Sequence, residues 1–288
     1  MSRGALRIAT RGSPLALVQA HLVADRLGAA AEIVVVKTEG DRNTTESLAT
    51  LGGRGVFTTE VQAAVLDGRA DVAVHSAKDL PASPELQVEG LVLAAVPERA
   101  DPRDCLIGST LDALAEGATV GTGSARREAL LSHLRPDLRF VGLRGNIATR
   151  LARVGELDAI VGAVAALTRL DLADRISEAF DPMTFVPQVG QGAIAVECRA
   201  DAAATRDRLA EIDDLEAHTA VRSERAFLAA LGGGCEAPVG AYATVVDGGL
   251  TLTGFFVGDA GPVWERATAS DPLALGASVA AAVRGDAS

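Results

Sequence analysis

The sequence has no long apolar run. No stretch of the 288 residues approaches the ~18 uninterrupted apolar positions that a membrane span requires. Arg3 and Arg7 lie near the amino terminus, but the apolar stretches beside them are too short and interrupted for a signal-peptide core. An intracellular, cytoplasmic protein is expected. Cysteine is scarce too. Cys105, Cys198 and Cys235 are widely spaced, odd in number and form no Cys-x-x-Cys pair, so neither a disulfide framework nor a zinc ribbon is suggested. The four histidines do not gather with Glu216, Glu224 and Glu236 into a ligand set, and no metal site is expected. Lysine is nearly absent as well: Lys37 and Lys78 are the only two among 27 basic residues. Codon preference toward arginine accounts for such a ratio, yet the planar guanidinium also suits carboxylates in a way an ammonium does not.

What is present is a chain that is 48% hydrophobic, long enough for two or three packed domains, since single cores stop growing near ~250 residues. Its net charge of −11 argues against bulk attraction to nucleic acid or an anionic membrane. The charge is uneven, however. Between Val120 and Leu170, eight arginines stand against four acids. A basic field inside an acidic protein points to a small anionic ligand.

Hydrophobic periodicity predicts strands at 6–9 and 32–36 around a helix at 14–27, then a helix at 58–67 and a strand at 72–75. Parallel α/β layering follows from this alternation. A second cycle runs through strands at 119–121, 139–141 and 159–161, with helices at 125–134 and 147–154. A further strand is expected at 193–196 and a helix at 202–212. Beyond 215 the pattern changes to helix 215–231, alternating strands at 239–245, 250–257 and 263–268, and helix 272–284, a small α+β unit.

Four short motifs carry candidate chemistry. In His75-Ser76-Ala77-Lys78-Asp79-Leu80-Pro81 an apolar strand ends in ionisable side chains, where open α/β sheets place their sites. Asp79 beside Lys78 and Ser76 is the candidate for acid–base work, and a Lys-Asp turn closed by proline is the other reading. In Gly121-Thr122-Gly123-Ser124-Ala125-Arg126-Arg127 a strand leads through glycines to a helix start that favours an anion. An ordinary Ser-capped helix with two exposed arginines has the same spacing, and neither a Walker loop nor a dinucleotide fingerprint is present. Leu143-Arg144-Gly145-Asn146-Ile147-Ala148-Thr149-Arg150 is a second such junction. Finally, Gly232-Gly233-Gly234-Cys235 can present a thiol from a permissive loop, whereas Cys105 and Cys198 sit among apolar residues as inert cysteines. Two other functions remain compatible with this pattern: a non-catalytic binder of a small anion, and a transferase using Cys235 on an acyl substrate.

Taken in order, these motifs resemble the porphobilinogen deaminase family. The likeness includes Ile8-Ala9-Thr10-Arg11, Ser13-Pro14-Leu15-Ala16-Leu17, Gly52-Gly53-Arg54-Gly55-Val56-Phe57 and Val189-Gly190-Gln191-Gly192-Ala193. The resemblance implies two α/β domains flanking an active-site cleft, periplasmic-binding-protein-like, plus a small α+β C-terminal domain. The expected division is 1–96 with 195–214, then 100–190, then 215–288. It implies a dipyrromethane cofactor joined by a thioether to Cys235, onto which four porphobilinogen molecules condense before release of hydroxymethylbilane. Asp79 matches the catalytic aspartate, which stabilises the electron-poor azafulvene left when ammonia departs. Lys78, Ser76, Thr122, Ser124, Arg126, Arg127, Arg144 and Asn146 match cofactor-binding positions. Arg11, Ser13, Gln19, Arg150, Arg169 and Phe57 match substrate-binding positions. A cytoplasmic monomer is implied, with no nucleic acid or membrane partner. The sequence departs from the family pattern at Gly123, where serine is frequent, at Ala148, where glycine is frequent, and at Thr50, where some members carry lysine. The glycine-rich stretch near 38–56 is expected to act as a lid.

Overall fold

The computed structural model describes residues 4–28, 31–38, 58–232, 238–246 and 248–285. Cys235, Phe57, Thr50, Arg54 and all of the expected lid except Thr38 lie outside these residues.

The chain opens with β1 (Leu6–Arg11), α1 (Pro14–Leu27) and β2 (Ala31–Val36). Ser13 starts α1 by accepting the Ala16 N–H, Pro14 occupies the first turn, and Gly28 ends the helix in the left-handed region at φ 58°. Next come α2 (Thr59–Leu66), β3 (Val72–Ser76) and β4 (Leu91–Ala95). The chain then crosses to a second domain through β5 (Asp104–Ile107), β6 (Thr119–Gly121), α3 (Ala125–Leu134), β7 (Arg139–Val141), α4 (Ile147–Leu151), β8 (Ala159–Ala163), α5 (Val164–Arg169) and β9 (Glu178–Ala179). It returns to the first sheet as β10 (Ile194–Arg199), followed by α6 (Ala203–Ala210). The last unit is α7 (Leu215–Ala230), the antiparallel meander β11 (Val239–Val246), β12 (Gly249–Gly258) and β13 (Gly261–Ala269), and α8 (Pro272–Arg284).

The two larger sheets share one scheme. Their orders are β2-β1-β3-β10-β4 and β7-β6-β8-β5-β9. In each, three parallel strands stand second-first-third, followed by one antiparallel strand and an edge strand. The expected parallel layering holds for three strands of each sheet, and the remaining two make both sheets mixed. The reason lies in the crossings: β10 begins opposite Ser76 and β5 begins opposite Ala163, at the ends where β3 and β8 finish. A chain arriving from the other domain at that end has to run against the strands that stop there.

Each domain closes its own apolar layer, and the third domain completes the other two. Ile8, Val23, Val72, Val74, Ile194 and Val196 fill the first. Leu106, Val120, Leu130, Val161 and Phe185 fill the second, joined by Phe255 from β12. Phe227, Leu252 and Val279 anchor the third, while Ala217 and Val221 of α7 pack beside Ala77, Leu80 and Val96 of the first. The structure thus has two α/β domains about a cleft and a small α+β domain against both. No described helix is long and apolar enough to cross a membrane.

Candidate functional site

The site forms where β3 stops. A single 3-10 turn, Ala77–Asp79, follows Ser76, and Leu80 N–H closes it on the Ala77 carbonyl at 3.3 Å. Ala77 N–H donates to the Ala193 carbonyl at 3.0 Å, and Gln19 Nε2 donates to Ser76 Oγ at 2.9 Å. The backbone on both sides is held, and Lys78 and Asp79 project half-buried. Behind the turn runs the Val189-Gly190-Gln191-Gly192 segment. Gly190 has φ +70°, and a Cβ there would lie 3.0 Å from the Ala77 carbonyl carbon and 3.1 Å from Lys78 N. Only glycine lets the two backbones approach so closely without displacement.

Opposite lies the start of α3. Ser124 caps it by accepting the Arg127 N–H, and the buried Thr122 hydroxyl accepts Ser124 N–H at 3.2 Å. The reading of an ordinary capped helix with two exposed arginines is corrected here: Arg126 is 3% exposed and Arg127 8%. Both converge on Asp104, a fully buried carboxylate at the start of β5, at 2.8 and 2.7 Å. Burial alone would raise the Asp104 pKa, but the two guanidinium charges, aided by hydrogen bonds from Arg126 and Gln191, bring it down to about 2. Arg126 Nη1 also donates to the Val186 carbonyl at 2.7 Å, while its Nη2 is buried and has no hydrogen-bond partner.

The third motif extends this field. Asn146 caps α4 through Thr149 N–H at 2.9 Å, and Arg150 Nε donates to the Gly145 carbonyl at 2.8 Å. Helix α4 stops at Leu151, short of the expected 154. Burial pushes the Arg150 pKa down, and Arg127 and Arg144 repel it in the same direction. Arg144 and Asn146 are exposed. Lys78 feels the whole group. Burial pushes its pKa down to about 8; Asp79 and Asp104 oppose the shift, and Arg127 and Arg150 add to it.

Arg169, at the end of α5, donates to the Gly192 carbonyl at 2.8 Å. Burial lowers its pKa to about 10, with Arg26 contributing. It closes a crevice of about 20 Å³ whose lining includes Gln19, Ser76 and Lys78. Arg11 and Ser13 lie half-buried at the β1–α1 junction. The structure therefore gathers Lys78, Asp79, Arg126, Arg127 and Arg150 in one electrostatic cluster, with Gln19, Ser76 and Arg169 around the adjoining crevice.

The partners of several residues around this site cannot be read from the sequence, although Gln191 and Glu224 are themselves named there. Asp104 sits at the head of a short apolar run, with nothing local to mark it as the counter-ion of arginines more than twenty positions away. Gln191 donates to it at 3.0 Å. Glu224, fully buried on α7, binds Arg99 Nη1 at 2.6 Å and accepts Gly190 N–H at 2.7 Å and Ala243 N–H at 2.9 Å. Cys105 and Cys198 are buried as expected, and burial pushes the Cys105 thiol up to about 12. Among the described residues no group of acids, histidines and cysteines suits a metal.

Comparison with known proteins gives matches along most of the chain. Residues 6–207 match the family model described as "Porphobilinogen deaminase, dipyromethane cofactor binding domain", and residues 218–284 match "Porphobilinogen deaminase, C-terminal domain". A porphobilinogen deaminase from Roseiflexus sp. (strain RS-1) is 46% identical over 96% of this chain and 94% of its own. Among solved structures, the periplasmic sulfonate-binding protein SsuA from Methylobacillus flagellatus KT is 15% identical over 78% of this chain and 67% of that one, with a TM-score of 0.39. A periplasmic binding protein of high arginine specificity from Salmonella typhimurium is 13% identical over 73% and 92%, with a TM-score of 0.37. The two family models and the Roseiflexus relative establish that this chain belongs to the porphobilinogen deaminase family, transferases of tetrapyrrole synthesis that carry a dipyrromethane cofactor.

Proposed function

We propose that this chain condenses porphobilinogen at the end of β3, with Asp79 as the catalytic carboxylate and Cys235 as the attachment point of the cofactor. The observation that carries the reading is a charge imbalance: Lys78, Arg126, Arg127 and Arg150 face the two carboxylates of Asp79 and Asp104. A buried Arg126 Nη2 without a partner points the same way. Dipyrromethane bears acetate and propionate groups, so the residues present fit it. When bound, it supplies the nucleophilic pyrrole carbon to which porphobilinogen adds.

The chain's own groups then divide the work. Arg126, Arg127, Arg144 and Lys78 hold the cofactor's carboxylates, with Ser76, Thr122, Ser124 and Asn146 supplying neutral donors. Arg11, Arg150 and Arg169, with Ser13, Gln19 and Phe57, receive the incoming substrate. Each hydrogen bond between an arginine and a carboxylate contributes ~1.5–3 kcal/mol, so several together retain a growing polyanion between additions. Asp79 accepts the pyrrole N–H of the substrate and stabilises the positive charge left on it as ammonia leaves. Departure of the amine needs no proton from the protein, because the aminomethyl group leaves from its protonated form.

The division into 1–96 with 195–214, 100–190 and 215–288 belongs to the same proposal and is supported by the three separate sheets. A cytoplasmic monomer acting on porphobilinogen completes it.

Intact mass spectrometry tests the attachment: the expected adduct has the mass of two linked pyrrole units and disappears in Cys235→Ser. An adduct that survives that substitution moves the attachment elsewhere. Asp79→Asn is expected to keep the fold and much of the ligand binding while losing ~10²–10⁴-fold in turnover, the usual contribution of a positioned acid–base group. Turnover equal to the unmodified chain removes Asp79 from the mechanism.

A further inference from the structure

Arg225 lies half-buried on α7, one residue beyond Glu224. Its Nη1 donates to the Leu80 carbonyl at 3.2 Å and its Nη2 to the Pro81 carbonyl at 2.7 Å. These are the first two carbonyls after Asp79. One planar guanidinium spanning successive carbonyls fixes the peptide between them, and with it the exit of the turn. Glu224 holds the other side by accepting Gly190 N–H at 2.7 Å, and Gly190 packs on Ala77 and Lys78. Consecutive residues of a single helix thus secure the Asp79 turn in front and behind.

The arrangement carries an energetic cost. Burial lowers the Arg225 pKa, and the charge of Glu197 opposes this only in part. Among the described residues, no carboxylate pairs with Arg225. A half-buried cation whose described partners are carbonyls gains little stability from them, which favours a role in placement.

We infer that Arg225 is a positioning residue for Asp79, tying the carboxylate's location to α7, a helix of the third domain. The inference rests on the proposed role of Asp79. Displacement of the turn changes the rate of the chemical step and leaves the arginines that bind substrate in place.

The test compares Arg225→Gln and Arg225→Lys with Arg222→Gln, an exposed position on the same helix. All rates are normalised to the fraction of protein carrying the adduct. Arg225→Gln is expected to lower kcat roughly 10- to 100-fold, the scale on which a displacement of ~1 Å acts, with KM within about twofold. Arg225→Lys restores part of the rate, since one ammonium reaches one of the two carbonyls. Amide exchange in a peptide covering 76–83 rises in Arg225→Gln at unchanged melting temperature. Unchanged kcat and exchange overturn the inference, as does a rate that falls only in step with the folded fraction and is not rescued by lysine. If Arg225→Gln fails to fold, Arg225→Lys alone decides on the same kcat, KM and exchange criteria. Failure of the parent reading looks different: the unmodified chain then carries no adduct and consumes no porphobilinogen.

Discussion

Lys78 is a residue of the site whose charge responds to pH within an accessible range. Its pKa in the folded chain is about 8, below the ordinary 10.5, because burial disfavours the ammonium. The unfolded chain therefore binds more protons than the folded one between these values, and stability from this group rises as pH climbs through that window. Below about 8 both states are protonated and the penalty is fully present. A bound carboxylate reverses the preference by favouring the ammonium. Binding of a polycarboxylate such as the linear tetrapyrrole product is thus expected to take up a proton near pH 8 and to weaken as pH rises further. Titration calorimetry in buffers of different ionisation enthalpy measures that uptake. Lys78→Arg, which stays charged, should flatten the dependence, and an unaltered slope in that variant would dissociate Lys78 from the anion.

Residues also mark the boundary of what the sequence reveals. The run from His75 to Asp79 is legible because polarity changes abruptly at a strand end. Asp104 is not, since its meaning depends on Arg126 and Arg127, which reach it only through the sheet. Gly123 acquires a reason only in three dimensions: a Cβ there would stand 2.6 Å from the Leu143 carbonyl oxygen. A side chain at this place, a serine included, requires a different path for one of the two loops.

At the scale of elements, the turn after β3 and the 188–193 segment behave as one unit. Gly190→Ala tests their contact. The added methyl meets backbone atoms of Ala77 and Lys78 at 3.0 to 3.1 Å, and φ +70° strains any L side chain. A residue held in such a region costs ~1–3 kcal/mol, so thermal unfolding is expected to shift down while turnover drops further than the lost folded fraction accounts for. Equal melting temperature and equal turnover would mean that the backbones separate freely. Periodicity reads the β1–α1–β2 alternation well, because α1 has a cap, a first-turn proline and a terminal glycine. It misses β4 and β5, short runs without alternation, and for β5 the cause is burial of all four residues. The direction of β10 is likewise invisible, since it follows from where the chain crosses between domains.

Across the whole molecule, the three-part architecture is legible through resemblance, whereas the interlocking of the parts is not. Residues far apart in sequence make those joints. Trp264 of β13 donates its Nε1–H to the Thr184 carbonyl at 3.2 Å and packs 4.9 Å from the His133 ring of the second domain. Phe255 completes that domain's core, and α7 contributes Ala217 and Val221 to the first. Arg99, in the crossing between domains, is clamped by Glu224. Detaching the third domain would uncover apolar surface on both partners, at roughly 25 cal/mol per Å². The domains are therefore expected to unfold together. Because the chain contains a single tryptophan, fluorescence reports on that joint alone, whereas far-ultraviolet circular dichroism reports on every helix and sheet. In denaturant the two curves should coincide in midpoint and slope. A fluorescence transition that precedes the loss of ellipticity would mean that the third domain undocks first, and that its grip on the Asp79 turn is weaker than the buried contacts imply.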